Sequence, residues 1–439
     1  MSHLQRGLRV WCGHHDNNGA PFVLRATVSV IVLYLACAWP ALAADFAIVD
    51  ARVYPAPDAA PIEHGTVLVH DGRITAVLPS ATITVPAGAT VIDGKGKFVT
   101  AGFWNSHVHF LALPLREAAT RPAPELNAAL STMLTRWGFS TVFDVASLNG
   151  SARALRKRIE AGEVTGTAIL NVDAPFFPKD GTPIYVRALL KEIGAPSAEV
   201  ANPDQARARA RQQLEQGADG VKLFTGAVVG GAIGVLPMDI DIARAVVAEA
   251  HRAGKPAFAH PSDMAGLEVS LASGVDVLAH TTPFSGPWDA ALVRRLRAAD
   301  IALIPTLTLF EAELRRDAVP DPVIARFIAD ATQQVKVFAA AGGTVLFGTD
   351  VGYIDQFDTR REFELMARAG LDWRQILASL TTAPAGRFGQ GDRKGRIAPG
   401  MEADLVLLGT DPAVDVMGFG DVQATIRGGR VIYGATGSK

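Results

Sequence analysis

Four histidines, a lysine and an aspartate in this chain have the types and spacing for metal chemistry. His107 and His109 form a His-x-His pair in FWNSHVHF, His260 closes PAFAH, His280 closes DVLAH, Lys222 lies in GVKLF, and Asp350 ends TVLFGTD. Side chains two apart on a strand share a face, so both imidazoles of the pair can reach one ion. Neutral imidazoles suit Zn²⁺ or a similar borderline ion. Each residue also has an ordinary reading: an incidental pair, a hydrogen-bonded core histidine, an aspartate capping the next helix, a lysine that snorkels to the rim or pairs with Asp219. Taken singly, the histidines and Lys222 fit those readings best; two physical costs bear on Asp350 and Lys222. A poorly solvated carboxylate needs a cation or donors to compensate it. An amine inside an apolar strand loses its proton readily, because burial disfavours the charged form. Once neutral, Lys222 can take up CO₂ as a carbamate, which turns a repelling cation into an anion able to bridge two ions.

The segments that must position these groups read as eight βα units. FWNSHVHF, TVFDVA, TAILNVDAP, GVKLF, PAFAH, DVLAH, IALIPTL and TVLFGTD are strand-like, and amphipathic stretches such as ANPDQARARARQQLEQGA and MDIDIARAVVAEAHRAG lie between them. The number and length of the units predict an α/β fold, a (β/α)₈ TIM-type barrel over residues 100–388. A doubly wound open sheet has the same periodicity, but no Gly-rich dinucleotide fingerprint or phosphate loop supports it. The histidines and Asp350 fall at carboxyl ends of strands, the face where barrel active sites are built. In a barrel the eighth strand adjoins the first, which brings Asp350 beside His107 and His109. Short apolar alternations before and after the helical middle (FAIVDARVY, GTVLVHDGRITAV and ATVIDGKGKFV; DLVLLGTD and DVQATIRGGRVIYG) predict one small β-sandwich, built from residues 44–99 and 389–439.

Composition narrows the partners. The 439 residues are 49% hydrophobic and 20% charged, enough for one large barrel and a smaller domain. A net charge of −2 gives no basic stripe for nucleic acid or an anionic membrane, so a small-molecule substrate is expected. A homo-oligomer is compatible with these features. Arg6, Arg9 and Arg25 precede the apolar run ATVSVIVLYLACAWPALA, which closes on Ala41-Leu42-Ala43. This reads as a signal peptide over residues 1–43, and so a secreted or periplasmic enzyme. The run is broken by Pro40 and falls short of the ~20 residues a stable span needs. Cys12 and Cys37 both lie in that segment, leaving the mature chain only N and O metal ligands.

His-x-His in the first strand, Lys in the fourth, His closing the fifth and sixth, and Asp closing the eighth together resemble the binuclear amidohydrolase superfamily. The flanking text DGRITAV, AGFWNSHVH, LTTAPAGRFG and KGRIAPGMEADLVLL resembles it too, so the likeness covers essentially the whole mature chain. The branch it resembles is the imidazolonepropionase-like group that includes Xaa-Pro dipeptidases. Presence of Lys222 fits a two-metal site better than the single-metal site of imidazolonepropionases proper. One departure is Asn105, where many members carry Asp.

The resemblance implies that His107, His109 and Asp350 hold the inner ion and His260 and His280 the outer one, with carboxylated Lys222 between them. The ions would be Zn²⁺, with Mn²⁺ or Co²⁺ as alternatives. It implies hydrolysis of a carbon–nitrogen bond in a dipeptide or N-acyl amino acid, with water activated between the ions and Asp350 as the proton carrier. A cyclic amide, a lactone or a phosphoester is the alternative substrate on the same site, and a non-catalytic metal-binding protein is the remaining reading. Strand-end loops offer Trp104, Phe177, Tyr185, Arg187, Thr225, Thr306, Tyr353 and Arg360 as candidate substrate contacts.

Overall fold

The computed structural model describes residues 45–146 and 150–434. The segment read as a signal peptide, with Cys12 and Cys37, lies outside the described residues. Among the described residues no helix is long and apolar enough to cross a membrane.

The two chain ends meet in one mixed eight-stranded sheet. Phe98–Ala101 pairs parallel with Arg52 and Val53 on one side and antiparallel with Leu405–Leu408 on the other. Where a sandwich was expected from the sequence, hydrogen bonding runs unbroken across both fragments. The wholly apolar strand Leu405–Leu408 follows from this placement: Leu405 and Leu407 enter the core of the end sheet, while Val406 and Leu408 enter the main core of the protein. Tight hairpins at Asp71-Gly72 and Gly428-Gly429, all with positive φ, supply the turn geometry that short strands require.

The middle of the chain is α/β. Phe103–Val108, Phe139–Asp144 and Ala168–Asn171 form one parallel sheet. Val221–Leu223, Ala257–Ala259, Val277–Ala279 and Ala302–Ile304 form another. Asp219 N donates to Asn171 O at 2.7 Å and Phe176 N to Lys222 O at 2.8 Å, which ties the first sheet to the second. Helices form where the sequence provides caps: Asn202 accepts from Gln205 N ahead of Pro203–Glu215, and Asp239 accepts from Asp241 N and Ile242 N ahead of Ile240–Arg252.

TVLFGTD, expected to be the eighth strand, is irregular. Its backbone still bonds to both neighbours, since Leu346 N donates to Leu303 O and Ser106 N donates to Phe347 O. Phe347 N, however, donates to Ser379 O, and Asp350 turns to φ 62°, so no regular ladder forms. Gly348 permits the close approach: a Cβ there would lie 2.3 Å from Ile304 Cγ2 and 2.9 Å from His107 Cβ.

Residues alternate between an inner and an outer cluster along these strands. Phe258, Val277, Ala302, Ile304 and Leu346 pack inward, while Ala257, Ala259, Leu278 and Leu303 belong to the main core outside. Lys222 is in register with Phe258 and flanked by outer-core Val221 and Leu223, so its side chain faces inward.

Candidate metal centre

Six side chains converge on the inside of the strand ends. His107 and His109 approach with Nε2 atoms 3.2 Å apart. Asp350 Oδ1 lies 2.8 Å from His109 Nε2 and 3.5 Å from His107 Nε2, and its Oδ2 lies 3.6 Å from His280 Nε2. His280 packs against His107 and His260, with ring centroids 4.6 Å apart in each case. His260 stacks on Phe224 at 4.5 Å, and Lys222 Nζ lies 5.8 Å from the same ring. One cavity of about 710 Å³ is lined by all six residues. His280 and Asp350 hold positive φ angles of 82° and 62°, backbone strain of the kind concentrated at functional sites.

The electrostatics favour cation binding. Burial first, then neighbouring charges, pushes the pKa values of His107, His260 and His280 well below the usual imidazole range, so all three are neutral at pH 7. Burial brings Lys222 down to about 7, with Asp350 pulling weakly the other way. The amine makes no ion pair or side-chain hydrogen bond among the described residues. Asp219, its sequence-level rival partner, is taken by Arg156 at 2.6 Å and Lys255 at 3.7 Å. Asp350 caps no helix, and its buried Oδ1 has no hydrogen-bond partner. A buried carboxylate oxygen with no aligned donor, although His109 Nε2 lies 2.8 Å away, is suited to a cation held between it and the imidazole nitrogens. The ligand atoms of His107, His109 and Asp350 lie within 4.8 Å of one another, a buried group that can hold a divalent ion.

The candidate substrate contacts divide. Tyr185, Phe177 and Tyr353 line the cavity. Trp104 is buried against Phe388, with ring centroids at 5.9 Å, and does not line the cavity. A register shift between Asn105 and Val108 lets Trp104 and His107 both turn inward at different depths. Thr225 is buried, with its hydroxyl on Ser270 Oγ at 2.8 Å. Arg187 is exposed and donates to Thr182 O, and Arg360 pairs with Asp358, so neither lines the cavity. Thr306 serves His280 rather than the cavity, its hydroxyl 2.6 Å from Nδ1.

Sequence reasoning missed Arg153, Arg209, Glu313 and Arg316, which also line the cavity. Arg153 pairs with Asp173 and Arg316 with Glu313. Arg209 donates only to the carbonyls of Ala174, Pro175 and Ala198. These residues sit on helices whose sequence reads as ordinary polar face, so periodicity offers no signal for them.

Comparison with known proteins agrees with this geometry. A sequence model of the Amidohydrolase family matches residues 98–432. Adenine deaminase of Rubrobacter xylanophilus is 26% identical over 361 residues, 79% of this chain and 51% of its own. The chain therefore spans about half the length of that relative. A crystal structure of a candidate prolidase from Bifidobacterium longum superposes with a TM-score of 0.73 at 26% identity, covering 90% of this chain and 95% of its own. A Xaa-Pro dipeptidase with bound methionine shares the fold, with a TM-score of 0.75 at 20% identity over 89% of this chain and all of its own. With the family match spanning most of its length, the chain belongs to the amidohydrolase family.

Proposed function

We propose that this protein is a secreted, two-metal hydrolase that cleaves the amide or peptide bond of a small substrate such as a dipeptide or N-acyl amino acid. One observation carries the reading: Asp350 presents Oδ1 to His107 and His109 and Oδ2 to His280, so a single carboxylate faces both histidine sets. Family membership supports hydrolysis at a carbon–nitrogen bond. Likeness to the candidate prolidase favours a dipeptide-like substrate.

In this reading His107, His109 and Asp350 would hold one Zn²⁺ ion and His260 and His280 the other, with Lys222, once carboxylated, as a further anionic ligand. Mn²⁺ or Co²⁺ could serve in place of Zn²⁺. Bound there, the ions supply Lewis acidity that lowers the pKa of the attacking water and polarises the scissile carbonyl. The protein's own groups do the rest. The burial-neutralised imidazoles remain available as ligands at working pH. Asp350 takes a proton at a carboxylate oxygen and returns it to the leaving amine. Phe177, Phe224, Leu309 and Phe310 line the cavity, which suits apolar substrate groups. Arg209, which has only carbonyl partners, is the cation best placed to take a substrate carboxylate.

The strand order and the backbone bonds of TVLFGTD to both Ser106 and Leu303 support a closed (β/α)₈ barrel over residues 100–388. The basic and apolar pattern before Ala43 supports signal cleavage and a periplasmic or extracellular site of action.

Metal-reconstituted mature protein screened against dipeptides, N-acyl amino acids, cyclic imides, lactones and phosphoesters tests this reading. Amine release from the first two classes is expected. Turnover confined to lactones or phosphoesters would overturn it. The likeness to adenine deaminase favours a second reading, hydrolytic deamination of a heterocycle, which ammonia release from adenine would reveal.

A further inference from the structure

The aim of His280 is set by a neighbour and, behind that neighbour, by a buried acid from a different helix. His280 Nδ1 lies 2.6 Å from Thr306 Oγ1. Thr306 Oγ1 also lies 2.8 Å from Pro305 O, a carbonyl that can only accept, so the arrangement that satisfies both contacts puts the one hydroxyl hydrogen on Pro305 O and leaves Thr306 an acceptor toward His280. The imidazole therefore carries its proton on Nδ1 and turns a bare Nε2 toward Asp350, the tautomer a metal ligand needs.

Thr306 holds an uncommon conformation to do this, φ 45° and ψ 51°, unfavourable for a β-branched residue. It also stands at the N-cap of the helix Leu307–Arg316, yet its side chain makes no capping bond. The cap comes from outside. Glu362, on the helix Arg360–Arg368, is 1% exposed. Its Oε1 accepts from Leu307 N at 2.8 Å, and its Oε2 accepts from Thr308 N and Thr308 Oγ1, both at 2.7 Å. The carboxylate thus meets the first amides of the helix, which have no partner within it, at the positive end of the helix dipole. With that duty filled by Glu362, the Thr306 hydroxyl is left for His280.

We infer that Glu362 is a positioning residue of the metal centre: it clamps the start of the Leu307 helix, which fixes Thr306 and so sets the tautomer and aim of His280. The inference rests on the reading that His280 holds an ion. Burial raises the Glu362 carboxyl to about 7, consistent with a group kept inside for the bonds it accepts.

Glu362→Gln keeps the volume but turns an NH₂ group against a backbone amide. Thr306→Val removes the hydroxyl and leaves the clamp. Metal-free full-length protein and both variants are titrated with Zn²⁺ against a chromophoric chelator, and the His280 tautomer is read by ¹⁵N NMR. Two ions are expected on the wild type, with the weaker one losing roughly 10–100-fold in affinity in each single variant. The double variant should be no worse than the worse single, because the two residues act in series. Unchanged Zn²⁺ affinities and an unchanged Nδ1–H tautomer in Glu362→Gln would overturn the inference, as would single effects that multiply in the double variant. If Glu362→Gln does not fold, Thr308→Ala, which removes one donor to the clamp, is read in the same way. A wild type that binds no Zn²⁺ would defeat the metal reading instead, and the tautomer of the metal-free variants would then decide the relay alone.

Discussion

Asn105 and Thr349 are bonded to each other twice: Asn105 Nδ2 donates to Thr349 Oγ1 at 2.7 Å, and Asn105 Oδ1 accepts from Thr349 N at 3.3 Å. The same Oδ1 accepts from His107 N at 3.2 Å. One fully buried side chain thus stitches the strand bearing His107 to the residue before Asp350. Asn105→Ala should strand the buried amides of His107 and Thr349 and remove a donor from Thr349 Oγ1, which keeps Val351 N, at a cost of about 1–3 kcal/mol. Asn105→Asp should cost less, because Thr349 can donate its hydroxyl to a carboxylate. Urea unfolding of the two variants checks the order, and equal losses would contradict it.

Lys222 is expected to be indispensable for metal. Lys222→Ala should lose bound ions and activity, and short carboxylic acids or bicarbonate should restore part of both by standing in for the bridging anion. Metal analysis with and without added acetate is the measurement. Full activity in the unsupplemented variant would rule out a bridging role.

For Asp350, substitution by Asn should separate binding from turnover. Metal content should fall only partly, while kcat drops by about 10²–10⁴ if the carboxylate carries the proton. An unchanged kcat would remove it from the mechanism.

Metal-free protein should be acid-labile. The folded state holds Lys222 near 7, below its ordinary 10.5, so between those values the unfolded chain binds one more proton than the folded one. Stability from this group is present above 10.5 and is lost as pH falls toward 7, at about 1.4 kcal/mol per pH unit. His107, His260 and His280 are also depressed, so their contribution is lost in turn as pH falls below 6.5. Urea titrations of chelator-treated protein from pH 9.5 to 5 should show both stretches. Lys222→Met should flatten the upper one, and an unaltered slope there would show that the lysine is protonated when folded.

Tyr185 and Tyr353 pack at 5.6 Å, but their hydroxyls differ. Tyr353 donates to Glu313 at 2.6 Å, whereas the buried Tyr185 hydroxyl has no partner. Tyr185→Phe should therefore leave stability unchanged or slightly raised. It should also lower kcat/KM about tenfold if a substrate oxygen is what completes that hydroxyl. Wild-type kinetics in this variant would leave Tyr185 as cavity wall alone.

The six-residue cluster that lines the cavity was legible in the sequence because strand patterning is local. Apolar runs ending in His or Asp announce both the strand and the end on which the polar residue sits, and a two-residue spacing fixes a common face. Lys222 was readable for the same reason, since an amine amid Val221, Leu223 and Phe224 has to be buried. The paired β fragments at the two chain ends were legible as strands, but their joining into one continuous sheet depends on Phe98–Ala101 reaching Leu405–Leu408, a pairing that no local pattern specifies.

Tertiary structure alone decided what stands behind that cluster. Trp104 reads as a candidate contact from its place near a strand end, yet it is buried against Phe388 and does not line the cavity. Arg187 and Arg360 read as anion partners, yet both spend their charge or donors elsewhere. Glu362 sits among Phe363, Leu365 and Met366 in what reads as an ordinary amphipathic helix, and only the packing of that helix against Leu307 and Thr308 makes its carboxylate part of the site. The residue types and strand ends that can bind an ion are properties of short segments, so the sequence by itself determined them. Which tautomer each imidazole adopts, which hydroxyl is free and which cation keeps no carboxylate depend on partners tens or hundreds of residues away, and only the fold brings those partners together.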